Sequence, residues 1–205
     1  MPISGPVLAS LIQGQMTANG LTGEKSFQLS QAVGNGIINS ILSSAIYTGT
    51  SVGLGLGTGA SVGTIIGTII IGPSVGALIF SQMTLFGLIG QKSILLANSI
   101  GNAVASHMST AIVQGVSTIV GIGTGTGIIT GVIGPSMGSM IMLQMTAMAL
   151  NGSKANSLAN AIGLGVAMAI QASTVTTTIS GVAVGVVPPA FPPIPSVGTD
   201  MGKII

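Results

Sequence analysis

Three segments of the chain repeat one another, and any fold must place them as equivalents. They read GPVLASLIQGQMTANGLTGEKSFQLSQAVGNGI from Gly5, GPSVGALIFSQMTLFGLIGQKSILLANSIGNAV from Gly72 and GPSMGSMIMLQMTAMALNGSKANSLANAIGLGV from Gly134, and they align without a gap. The Gln-Met-Thr triplets begin at Gln15, Gln82 and Gln144, nine residues after Pro6, Pro73 and Pro135. Lys25, Lys92 and Lys154 follow ten residues later. Proline-to-proline spacing is 67 and then 62, and the difference falls in a Gly/Thr-rich stretch. One unit is too small to bury its own apolar face, so the copies are expected to share a core.

Each unit carries the same local plan. Gly-Pro opens a helix, because proline at the first helical position loses no hydrogen bond. The pattern predicts a helix of about fifteen residues through Gln-Met-Thr. Gly23, Gly90 and Gly152 serve as stop signals. A second helix begins near each lysine. Between Lys25 and Tyr47, Leu29, Val33, Ile37 and Ile41 form an apolar face. The opposite face holds Gln28, Gln31, Asn35, Asn39 and Ser43, polar but uncharged, where a water-facing helix normally carries charge.

The stretches 51–71, 117–134 and 174–187 alternate glycine with Val, Leu, Ile or Thr. That reads as strands, with the central Gly-Thr-Gly as a hairpin turn. Glycine along one strand face suggests the close approach of another backbone. A helical reading of 61–80 stays open, because short apolar runs do not separate the two. The expected fold class is α+β. Residues 1–187 form one domain of three repeats (about 5–71, 72–133 and 134–187), each a helical hairpin followed by a Gly-rich β-hairpin, all sharing one core. The alternative is an all-α set of membrane helices. Residues 188–205 begin Pro-Pro-Ala-Phe191-Pro-Pro and read as a polyproline-type arm, either a stiff extension or a contact to a neighbouring subunit.

Charge excludes whole classes of function. Only 3% of the 205 residues are charged, against about 25% in ordinary domains. Four scattered lysines make no basic patch, so no nucleic-acid partner is expected, and a pI near 9.4 rests on a handful of groups. With no cysteine there is no disulfide framework and no thiolate metal site. His107 is the single histidine and Glu24 and Asp200 the only acids, too few for a hydrolytic triad or a carboxylate pair. The repeats carry Ser40 and Ala169 where the second unit has His107, which favours a structural role. Gly57-x-Gly59 and Gly123-x-Gly125 lack the third glycine of a dinucleotide fingerprint, having Val62 and Ile128 there. Residues 24, 91 and 153 separate glycine from lysine, which excludes a P-loop. No enzyme activity, cofactor or metal is expected. The repeated lysines, with Phe191, are the candidate partner contacts. A cation at a helix start opposes the macrodipole, so helix stability does not explain the recurrence.

Two settings tolerate so few charges. Mean hydropathy is +0.88. Val62–Phe80 is long enough to span a membrane, and Gly72-x-x-x-Gly76 and Gly134-x-x-x-Gly138 match close-packing helix motifs. Against a membrane pore or holin-like protein stand the missing tryptophan belt, unflanked spans, and Gly72-Pro73 in mid-span. The rival is an assembly subunit whose flanks face other protein, since obligate interfaces deplete charge. A secreted glycine-rich adhesin is a third reading.

The recurring GPxxGxxIxxQM…GLxGxKSxxLAxAIGNxI units with GTGTG-type connectors resemble the glycine-rich, nearly uncharged structural proteins of tailed-phage virions, of tail or baseplate type. The resemblance covers residues 5–187 and carries over no functional residue. It implies a non-enzymatic virion part, in the tail, baseplate or tail tip, whose partners are other virion proteins and copies of itself. A virion location is expected, with the membrane as alternative.

Overall fold

A computed structural model describes residues 4–44, 46–54, 57–64, 71–119, 122–182 and 195–204. Its helices come in three hairpins: α1 (Gly5–Ala18) with α2 (Glu24–Ser44), α3 (Gly72–Leu85) with α4 (Gln91–Met108), and α5 (Gly134–Ala147) with α6 (Ala155–Ala172). Proline stands in the first turn of α1, α3 and α5, as its missing N–H allows. Each helix packs on its chain neighbours and α6 closes back on α1, so the hairpins form a ring. Leu8, Ile12, Ile37, Ile79, Ile100 and Ile141 are sealed from water inside it. Burying each such side chain contributes about 1.5–3 kcal/mol.

Small residues let this ring close. A Cβ placed on Gly34 of α2 would lie 2.7 Å from the backbone nitrogen of Ala9 on α1, inside van der Waals contact. Gly101 stands in the same way against Gly76, and Gly163 against Gly138. The Gly-x-x-x-Gly motifs of α3 and α5 therefore pair each helix with the other member of its own hairpin. Between hairpins, a Cβ on Gly36 would lie 2.6 Å from Ile79 Cα, and one on Gly165 would lie 2.7 Å from Ile12 Cα. At the third seam, α4 against α5, the equivalent residue is Ala103. That seam is the sparsest of the three.

The expected α+β class, with hairpins and helices in one core, is corrected by this arrangement. The core is all-α, six helices in three helical hairpins. Ile129, from a strand segment, joins that core. The physical reason lies in the glycines. Those of the helices bring the backbones into contact, so the six helices bury a core between themselves.

The strand segments lie beside this body. They are β1 (Ile46–Leu54), β2 (Gly57–Thr64), β3 (Ile112–Ile119), β4 (Ile122–Thr130), β5 (Thr174–Val182) and β6 (Pro195–Ile204). They pair antiparallel in chain order, and β6 returns to β1 to close the set. Gly57-Thr58-Gly59, expected as a turn, runs inside β2 opposite Ile119, Thr118 and Ser117. Gly123-Thr124-Gly125 likewise runs inside β4 opposite Ile179, Thr178 and Thr177. From Pro195 the C-terminal segment pairs with β1 and β5. Phe191 and the proline run before it lie outside the described residues.

The alternative of membrane-spanning helices is also corrected. Among the described residues, no helix is long and apolar enough to cross a membrane. The apolar run Val62–Phe80 is not one helix: Val62 belongs to β2, and α3 starts only at Gly72.

Candidate binding site

The tips of the hairpins are built by one turn, made three times. At the end of α1, Gly20 N–H donates to Thr17 O at 3.0 Å and Leu21 N–H donates to Met16 O at 2.8 Å. This pair of bonds satisfies two carbonyls that a helix end leaves open, and it needs a left-handed residue between them. Gly20 and Gly87 supply it with φ of 70°, and Ala149 with φ of 56°. The helices thus end at Ala18, Leu85 and Ala147, several residues before Gly23, Gly90 and Gly152, which were expected as the stops. The same motif brings Leu21 back over Met16, Leu88 over Met83 and Leu150 over Met145. Ser26 Oγ donates to Leu21 O at 2.8 Å and ties the first turn to α2.

The first and third turns border a cavity of about 590 Å³. Its wall is largely apolar, with Met16, Leu21 and Leu29 from the first hairpin facing Met145, Leu150 and Leu158 from the third. All three repeated lysines line it: Lys25, Lys154 and, from the second hairpin, Lys92. No acid lines it. Glu24, next to Lys25, accepts a hydrogen bond from Gln28 Nε2 at 3.2 Å. The Lys154 ammonium lies 4.0 Å from the point where Gly20 would carry a Cβ, so it reaches from α6 to the turn of another hairpin.

Lys25 and Lys92 are the second residues of α2 and α4, and Lys154 is the N-cap of α6. Each cation therefore sits at the positive end of a helix dipole, at a cost of about 0.3–1 kcal/mol. None of them forms an ion pair among the described residues. The fold gains nothing visible from their charge.

His107 lies elsewhere, at the end of α4, and is 6% exposed. Its Nε2 accepts the Ile133 N–H at 3.1 Å, which joins the end of α4 to the N-cap of α5. Burial holds its pKa below the ordinary imidazole value. No group of three His, Asp or Glu stands ready for a metal among the described residues.

The lysines were legible in the sequence as repeats, but their meeting at one cavity was not. The Met–Leu pairs that form its wall were missed. Their signal is the methionine of Gln-Met-Thr followed five residues later by leucine, at Leu21 and Leu150; the second copy, Leu88, does not line the cavity. The outer surface shows a second feature. Leu85 is 75% exposed, Ile89 69% and Ile94 42%, all at the tip of the second hairpin, and Leu143 on α5 is 67% exposed. No protein family, curated protein or solved structure matches the chain.

Proposed function

We propose that the chain is a non-enzymatic structural subunit that works by packing into an assembly, a part of a virion tail, baseplate or tail tip. The observation that carries this reading is the bare apolar surface of the second hairpin tip, on a chain with only six fully charged residues. Large aliphatic side chains in a cluster attract either a partner or aggregation. Interfaces that are permanently covered lose Lys, Glu and Asp in just this way. The ring of three like hairpins offers repeated contacts to neighbours, so copies of the chain and other particle proteins are its partners. Placement in a virion rests on the resemblance of the repeat units to tail and baseplate proteins.

Light scattering on protein made without detergent tests the packing role. Oligomers at micromolar concentration are expected, and a stable detergent-free monomer would overturn it. Mass spectrometry of purified particles tests the placement: recovery with tail proteins supports it, and absence from every particle fraction sinks it.

A further inference from the structure

We propose that the three-lysine cavity binds an acyl-chain anion, a flexible aliphatic chain ending in a charged oxygen head. The inference stands apart from the packing role, because it uses the cavity and not the exposed second tip. Its volume of about 590 Å³ falls in the range of small-molecule sites, about 300–1,000 Å³. The wall is aliphatic and thioether, with no aromatic ring in it, so it offers nothing on which a base or other planar ligand could stack. Methionine and leucine adapt to an irregular chain instead. A bare inorganic anion would leave that wall wet.

The head is assigned by charge. Three cations from three hairpins border one space, no carboxylate borders it, and none of the cations has an ion-pair partner among the described residues. Each stands at a helix start, where its charge opposes the dipole. An anion at the mouth is attracted by all three ammonium groups. Lysine is a compact, rotatable point charge, so the head need not be planar. A carboxylate on a free fatty acid and the phosphate of an acidic lipid share this chemistry.

Calorimetry on the full-length chain tests the proposal, using decanoate, decanol and decyltrimethylammonium, with K25Q/K92Q/K154Q as the variant. The three lysines are exposed, so this variant keeps the fold, which circular dichroism checks. Decanoate is expected to bind one per chain and to weaken with salt. Loss of three exposed charge contacts should weaken it about ten-fold, to the level of decanol. Flotation with anionic phospholipid vesicles separates the two sources. Flotation that the variant loses assigns the lipid, and decanoate binding without flotation assigns the free acid. Equal binding of decanoate, decanol and the cationic detergent, or full decanoate binding by the variant, would overturn the site, because the ligand would then lie on the exposed helix flanks.

Discussion

The inside of the helical ring and the tips of its hairpins follow different rules. Inside each hairpin, the second helix keeps the same residue where it meets the first: Gly34, Gly101 and Gly163 are all glycine. At the tips, the turn bonds and the lysine recur but the outward side chains do not. The second hairpin shows Leu85, Ile89 and Ile94 where the first has Ala18, Thr22 and Phe27 and the third has Ala147, Asn151 and Asn156. A backbone contact leaves no room for any Cβ, whereas an outward position constrains only what will later touch it. Each hairpin is thus fixed by sterics in the same way, and the tips are free to diverge into a lysine-lined cavity and an exposed apolar face.

The sharpest way to break the inside rule is Gly101→Val. A Cβ there runs into the backbone of Gly76, and no rotamer change relieves a clash with main chain. We expect a loss of about 3 kcal/mol or more, read as a fall in the urea midpoint. Gly14→Ala, on the open face of α1 where a Cβ would meet nothing within 4 Å, should instead gain about 0.5–1 kcal/mol from helix propensity. Equal losses at both positions would mean that the ring is not closed by backbone contact.

The tip rule is tested by L85Q/I89Q/I94Q. Exposed positions should change stability by about 0.5 kcal/mol or less, so the urea midpoint should hold. The apparent molar mass in light scattering should fall toward that of one chain. The matching change at the third tip, N151Q with N156Q, should leave the mass untouched. If the mass is unchanged in both, the association face lies elsewhere.

Much of the ring was legible because its signals are local. Proline at a helix start and apolar residues at helical spacing act within one turn of the chain, and they gave the six helices. The Gly-x-x-x-Gly spacing correctly marked close helix pairs, but spacing cannot say whether the partner helix is in lipid or in the same hairpin. The core was misjudged for a related reason. Alternating glycine reports strand geometry locally, while closure of a helical core depends on backbone approach between residues as distant as Gly36 and Ile79. The cavity was hidden in the same way. Lys25, Lys92 and Lys154 are 67 and 62 residues apart, and only closure of the ring puts them around one space.

His107 marks where the second hairpin departs from the inside rule, and pH reads it out. Its Nε2 must be unprotonated to accept the Ile133 N–H. Its folded pKa is lowered by burial, so the unfolded chain binds the proton more readily. Stability should therefore be level above the ordinary histidine pKa of about 6.5 and fall as pH drops through the lowered folded value. His107→Gln keeps an acceptor without a titrating ring and should flatten the dependence. Urea midpoints at neutral and mildly acidic pH, compared between the two proteins, decide it. The same slope in both would place the proton uptake elsewhere.

The smallest expected effect concerns the one tip residue that breaks its own turn. Gly20 and Gly87 occupy the left-handed position at no steric cost, but the third turn places Ala149 there with φ of 56°. A Cβ in that conformation costs about 1–2 kcal/mol, part of which is recovered because alanine restricts the unfolded chain. Ala149→Gly should therefore raise stability by about 0.5–1 kcal/mol, and Gly87→Ala should lower it by a similar amount. Ala149 also lines the three-lysine cavity, whereas its counterpart glycines do not. If the alanine is kept for the cavity wall, the more stable Ala149→Gly protein should bind decanoate less well than the parent. A gain in stability with unchanged decanoate binding would mean that the strained turn serves no ligand.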